Sequence, residues 1–418
     1  MPCKTRGHYC RNCSWYTFII GEVIRVGENA RKEKAEVEVP VGLLHPAMLE
    51  PYRARFFVED EVIVDCELTL DPYHKGIERI MEGMPVEKGL IITERICGIC
   101  SHIHLWNGTR AVERGLKIKV PERADYIRVI MAELERLHSH LIYLAHAMEV
   151  LGHETMCMRA FTLREDIMDL LYIISGNRVH YAVPIIGGVR PRCDIDEYRL
   201  SELQKRLPVL KIKIGDYANR VINDSMIMSR VKGSGVLTKA EAEKYVAPGP
   251  TGRASGWGVD LRKKMKEYKT FDFNVIVLDD GDNKDRVLTR ALESIEAVKI
   301  IEQALETLPS GPVSNRSFEL KEMKFSTSYI EAPRGEIYDS LALDETGRIR
   351  NYQNRTPTLT ALASMEVACI GDQLTDGMLT MASCDPCLAC TNRAIVVENG
   401  KERIFTEEDV KSIIRRGL

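Results

Sequence analysis

Long apolar runs are the first thing this 418-residue sequence lacks. A membrane-spanning helix needs about 20 consecutive apolar residues. The best stretch, Leu141 to Leu151, is short and contains His146 and Glu149, so no span is expected. A secretory signal is missing too: Lys4, Arg6, His8 and Arg11 stand among three cysteines, with no apolar segment before a cleavage site. Neither sign of charge is in surplus, since 58 Lys and Arg face 61 Asp and Glu, a formal net charge of −3. A nucleic-acid binder would carry a basic excess, so nucleic acid is not an expected partner. There is no long run of like charge and no internal repeat, which excludes charged tails and repeat arrays. These absences suggest a soluble chain on the cytoplasmic side.

What is present points to a packed protein. Hydrophobic residues make up 44% and charged residues 28%, so a sizeable core is expected and disorder is not. The length suits one large domain or two of ordinary size. Twelve cysteines in a reducing compartment do not read as a disulfide framework. Clustered cysteines there point to metal or redox work.

Periodicity outlines the organisation. Alternation over Ala35–Val39 reads as a strand, and Arg53–Val58 with Glu61–Leu68 reads as a hairpin about Glu59-Asp60. From Arg123 to Val150, Ile127, Ile130, Leu134, Leu137, Leu141, Leu144 and Met148 recur at spacings of three and four, the stripe of a bundle helix. Further helices are expected over Phe161–Ile174, stopped at Ser175-Gly176-Asn177, and over Leu288–Leu308. After Arg393, Ala394-Ile-Val-Val and Arg403-Ile-Phe flank an Asn399-Gly400 turn, a hairpin signal. The expected fold is α+β and mostly helical, a helical bundle core with a small N-terminal β-sheet. Its parts are an extension of unknown role (1–35), one large domain (36–393) and a C-terminal extension (394–418).

Two CxxC motifs stand near opposite ends of the chain: Arg95-Ile-Cys97-Gly-Ile-Cys100-Ser-His-Ile-His104 and Asp385-Pro386-Cys387-Leu-Ala-Cys390-Thr-Asn-Arg393. Cysteines three apart on a helical turn face one way, and His104 lies a further turn along. Pro386 suits a first helical position. If the two turns meet, four thiolates face one metal centre. Soft thiolates select zinc, copper(I), iron–sulfur clusters or nickel–iron chemistry. Zinc ribbons usually set their two knuckles 15–20 residues apart, whereas here most of the chain intervenes. A structural zinc, an iron–sulfur cluster and a catalytic centre all stay open on spacing alone.

The residues around the cysteines resemble the two signature motifs of nickel–iron hydrogenase large subunits. Other segments fit the same family in order. Pro40-Val-Gly-Leu-Leu-His45-Pro46-Ala47-Met-Leu-Glu50-Pro51 is similar to the N-terminal motif of its energy-converting, complex I-related group. Tyr73-His74-Lys75-Gly76-Ile77-Glu78 is similar to a stretch shared with complex I. Glu133-Leu-Glu-Arg-Leu-His138-Ser-His140, Ser175-Gly176-Asn177-Arg178 and Glu331-Ala-Pro333-Arg334-Gly335-Glu336 follow. The resemblance runs from about Val39 to Leu418.

The resemblance implies a role for each residue. Cys97 and Cys387 would bind nickel alone, and Cys100 and Cys390 would bridge nickel to an iron carrying carbon monoxide and cyanide. Glu50 would relay protons out of a dry site. Arg334 would overhang the metals; otherwise it would make an ion pair with Glu331 or Glu336. His104 would donate a hydrogen bond to a bridging sulfur. Glu78 would join a magnesium site whose usual C-terminal histidine is Arg393 here. No iron–sulfur cluster is implied in this chain itself. Cys66, Cys157, Cys193 and Cys369 read as buried small hydrophobes. Cys384 matches no required ligand, and Cys3, Cys10 and Cys13 lie outside the resemblance.

The implied activity is reversible interconversion of protons and low-potential electrons with hydrogen, coupled to ion translocation. The implied partners are a small subunit with a [4Fe-4S] cluster, ferredoxin or a ferredoxin-like subunit, integral membrane antiporter-like subunits and a maturation protease. That places the chain at the cytoplasmic face of a membrane, peripherally bound. Two other functions compete: a complex I-like quinone-pocket subunit without metal, and a zinc-stabilised scaffold.

Overall fold

The computed structural model describes residues 35–42, 45, 48, 50–69 and 73–391, and the backbone of 395–398 and 401–404. Cys3, Cys10, Cys13 and Arg393 lie outside the described residues. The N-terminal sheet has three antiparallel strands in sequence order, β1 (Val37–Val41), β2 (Arg53–Glu59) and β3 (Val62–Thr69). The hairpin turns at Asp60-Glu61, one residue later than Glu59-Asp60, and both turn residues have positive φ (48° and 64°). That backbone matches the twist of the strands it joins. Ala54, Phe56, Val58 and Ile63 point inward, into a core shared with Leu362, Met365, Cys369 and Met381.

The bundle is built from α1 (Ser101–Leu116), α2 (Glu122–Val150), α3 (Glu154–Ser175), α4 (Glu197–Asn223) and α5 (Asn283–Glu306). α2 packs against both α3 and α5. Its apolar stripe is buried as the spacing predicts, from Ile127 to Met148. So is most of its other face, where Arg128, Glu133, Arg136, His138 and His140 are also inaccessible. Buried charges need partners. Arg128 pairs with Glu113, Glu133 accepts from Arg262 and the Tyr268 hydroxyl, and His140 Nε2 lies 3.1 Å from Glu293. α2 is thus a central helix rather than a half-exposed one.

Gly176, at φ 79°, closes α3 in the left-handed conformation that its position predicts. α3 starts at Glu154, well upstream of Phe161. α5 starts at Asn283, where the Asp282 side chain accepts from Asp285 N, rather than at Leu288. Elements that the sequence pattern does not mark include α4 and a second antiparallel sheet of β4 (Met323–Ala332), β5 (Gly335–Leu343) and β6 (Ile349–Arg355). Ala332 pairs with Gly335, so Pro333 and Arg334 form the tip of a two-residue turn. Gly249 packs under that tip: a Cβ on it would fall 2.6 Å from Arg334 O, and one on Gly335 would fall 2.7 Å from Gly249 N. Only glycine permits this approach.

α6 (Thr358–Ala368) and α7 (Leu374–Ser383) bring the chain to the second cysteine pair. Beyond it, β7 (Ile395–Glu398) and β8 (Lys401–Ile404) pair as the expected hairpin. The fold is α+β and mostly helical, as expected. No helix among the described residues is long and apolar enough to cross a membrane.

Candidate metal centre

The first cysteine pair lies in a loop, not on a helical turn. Cys97 precedes α1, and the N–H groups of Ile99 and Cys100 each point at its Sγ from 3.3 Å. Cys100 caps α1. The start of α1 is held from α2 by Glu135, which accepts from His102 N at 2.7 Å and Ile103 N at 3.1 Å. A carboxyl there satisfies orphan donors at the positive end of the helix dipole, while burial raises its pKa well above the ordinary value.

The second pair sits on a single 3₁₀ turn, Leu388–Cys390, capped by Cys387. Pro386 stands one residue before the cap instead of at the first helical position. Asp385 adopts φ 61°, which reverses the chain after α7. Thr358 Oγ1 accepts from Cys387 N at 3.1 Å.

The two turns meet. Cys97 Sγ lies 3.3 Å from Cys387 Sγ, and Cys387 Sγ lies 2.8 Å from Cys390 Sγ. Cys100, His104 and Cys390 form a second group, with His104 Nε2 3.9 Å from Cys390 Sγ. All four cysteines are buried and none is in a disulfide. Hydrogen bonds from the other three thiols hold Cys97 well below its ordinary value. Burial pushes Cys390 well above it. The protein alone favours one thiolate in the cluster, and ionising all four would need a multiply charged soft cation. Four sulfurs in this arrangement fit a nickel–iron centre.

Glu50 reaches the same turn. Its Oε2 accepts from Leu388 N and from Ala389 N, the latter at 3.0 Å. Burial raises its pKa even though these donors act in the opposite sense. Arg334 is buried and pairs with neither Glu331 nor Glu336. Its Nη2 meets Asp385 Oδ1 at 2.8 Å, its Nε donates to Asp385 O at 2.9 Å, and its Nη1 donates to Ser139 Oγ at 3.1 Å. Glu331 instead pairs with Arg253, and Glu336 with Arg355, because β4 and β5 carry them away from the tip. Burial lowers the pKa of His104 to about 4, so its ring is neutral at neutral pH.

Glu78 belongs to neither of the two cysteine groups. Its Oε1 accepts from Asn354 N at 2.8 Å. Among the described residues no group of three His, Cys, Asp or Glu ligands includes it. His138 and His140 point apart, toward Arg164 and Glu293, as their spacing requires. Cys66, Cys157, Cys193, Cys369 and Cys384 are buried and in no disulfide. Sequence reasoning missed Glu135, Ser139 and Thr358 as supports, and gave Asp385 no role although it stands in the second motif.

Comparison with known proteins agrees with this geometry. The family described as nickel-dependent hydrogenase matches residues 75–152. The family described as respiratory-chain NADH dehydrogenase, 49 Kd subunit, matches residues 150–329 and 319–393. The membrane-bound hydrogenase subunit alpha of Pyrococcus furiosus is 33% identical over 404 residues, spanning 91% of this chain and 93% of that one. The carbon monoxide-induced hydrogenase of Rhodospirillum rubrum is 32% identical over 359 residues, spanning 85% and 99%. Among solved structures, an archaeal membrane-bound sulfane sulfur reductase complex contains a chain with TM-score 0.79 and 26% identity, covering 86% of this chain and 99% of that one.

Fold and centre thus define a large subunit of the class shared by nickel-dependent hydrogenases and respiratory complex I. Within that class, the chain belongs to the complex I-related, membrane-bound hydrogenase large-subunit family.

Proposed function

We propose that this chain is the catalytic large subunit of a membrane-associated nickel–iron hydrogenase, interconverting two protons and two electrons with hydrogen. The observation that carries the reading is the meeting of four buried cysteine sulfurs beside His104. Cys97 and Cys387 would hold nickel, and Cys100 and Cys390 would bridge it to an iron with carbon monoxide and cyanide ligands. When bound, that centre supplies the splitting and formation of hydrogen.

The chain's own residues supply the surroundings. Buried walls exclude water from the thiolates. His104, neutral, can donate one N–H toward Cys390 Sγ and tune its electron density. Arg334 holds a fixed positive charge against the cluster. Glu50 can take up a proton at the edge of the site and release it, since burial brings its carboxyl nearer neutral range. Electrons must enter from another chain, which supports a small subunit with a [4Fe-4S] cluster fed by ferredoxin or a ferredoxin-like subunit. Kinship with membrane respiratory complexes supports antiporter-like membrane partners, ion coupling and a peripheral site at the cytoplasmic face.

Infrared spectroscopy of the purified complex, with metal analysis, tests the reading. Carbon monoxide and cyanide bands are expected together with nickel, and with iron in excess of nickel because the small subunit's cluster adds its own. The match to the 49 Kd subunit family favours one second reading, a metal-free quinone-pocket subunit. No bands and no nickel would establish that reading, and zinc alone would indicate a scaffold. The segment after Arg393 belongs to maturation in this proposal: a protease cuts between Arg393 and Ala394 once nickel is loaded. Intact mass of the nickel-loaded chain should end at Arg393, and a chain ending at Leu418 would show a permanent tail.

A further inference from the structure

A narrow cleft lies beside the centre, walled by Met48, Glu50, Tyr52, His146, Asp385 and Pro386. It brings together proton-exchanging groups from distant parts of the chain, Glu50 before β2 and His146 near the end of α2. His146 is itself buried. Its Nδ1 lies 3.5 Å from Glu149 Oε2, and the Glu149 side chain is 61% exposed. An interior carboxyl, a buried imidazole and a solvent-facing carboxylate therefore stand in sequence. In the cleft wall, Asp385 Oδ2 is buried without a hydrogen-bond partner, while its Oδ1 is held by Arg334. A buried oxygen of this kind calls for ordered water. The cleft has room for about one.

We propose that His146 carries protons between Glu50 and solvent, using Glu149 as the surface acceptor. This rests on the reading of Glu50 as the relay at the metal centre. The proton leaving the Glu50 carboxyl crosses the bridging water to His146 Nε2. The proton on Nδ1 passes to the Glu149 carboxylate and then to bulk water. Reverse transfer or a ring flip restores the first tautomer, and nothing is oxidised or reduced. Burial holds His146 below its ordinary value, with Glu149 and Asp385 acting in the opposite sense. The groups facing it are Glu149 on its own helix, Asp385 after α7, and Glu50 and Tyr52 across the cleft. A neutral ring has one donor and one acceptor nitrogen, which a relay requires.

The test uses the complex purified from native membranes. His146→Gln keeps size and a hydrogen bond to Glu149 but cannot cycle a proton. Nickel and iron content should stay at the wild-type level, while hydrogen–deuterium exchange with solvent falls at least about tenfold. In His146→Ala, which leaves a space where the ring stood, added imidazole should restore the rate, which a purely structural histidine would not show. Wild-type exchange in metal-loaded His146→Gln overturns the proposal, and so does slowed exchange in metal-loaded His146→Ala that imidazole leaves unchanged. If Glu50→Gln blocks exchange while His146→Gln does not, only this inference fails. If Glu50→Gln exchanges normally, the reading of Glu50 fails first. Should His146→Gln lose its metals, Glu149→Gln on the surface decides: slowed exchange with full metals supports the route, and unchanged exchange rejects it.

Discussion

Arg334 grips Asp385 twice, through Nη2 to Oδ1 at 2.8 Å and through Nε to the main-chain oxygen at 2.9 Å. The hairpin tip of the second sheet is thereby tied to the turn that begins the second cysteine motif. Lysine at position 334 would keep the charge and lose the fork. Arg334→Lys should therefore retain nickel and iron yet lower hydrogen turnover roughly a hundredfold. Metal analysis alongside hydrogen uptake separates this from simple loss of the centre.

The cysteines divide into two sets with opposite expectations. Cys100→Ser should abolish turnover and lower nickel content, because a hydroxyl is a poor ligand for a soft metal. Cys369→Ala removes a buried sulfur from the core beneath the N-terminal sheet and should cost some stability with activity near normal. Full activity and normal nickel in Cys100→Ser would contradict the four-thiolate assignment.

Glu50→Gln tests the carboxyl without disturbing its scaffold role. The amide oxygen can still accept from Leu388 N and Ala389 N, so the 3₁₀ turn should hold. What is lost is the ability to cycle a proton. Hydrogen–deuterium exchange should drop by about 10²-fold or more in a fully metallated protein. Normal exchange would move the relay to another group.

A pH effect on stability is expected in the second sheet, at Asp339 on β5. Asp339 is wholly buried, and burial raises its pKa from 3.8 to about 7. A carboxyl raised in the folded state contributes stability that is complete below pH 3.8 and fades as pH rises through about 7. Asp339→Asn should remove this component, so thermal unfolding of the variant should vary less between pH 4 and 7 than that of the native chain. Equal pH dependence of the two midpoints would show that Asp339 is not the group responsible.

Much of the fold and centre could be read from local pattern. The stripe of α2, the stop at Gly176, the tail hairpin about Asn399-Gly400 and the cysteine spacings are short-range signals. Other features depend on partners far along the chain. The charges on α2 look solvent-facing in any window, because Arg262 and Glu293 that pair with them are more than 120 positions away. The start of α5 is strongly polar and gives no clear apolar period, although Asp282 caps it. β4 does not alternate cleanly, since one end is buried on both faces. Asp385 was quoted in a motif, yet its task became visible only when Arg334 arrived from the opposite sheet.

The centre is also a constraint on the order in which the protein comes to exist. Cys97 and Cys387 stand 290 positions apart and touch at their sulfurs. A ribosome must have delivered nearly the whole chain before the pocket can close, so no metal can template the early steps of folding. Closing so long a loop carries an entropic cost that the α1–α5 bundle must already have met. Until then the two halves of the binding site are separate pairs of thiols, open to the wrong metal. The interval between synthesis and closure is the period in which this protein has to be supervised.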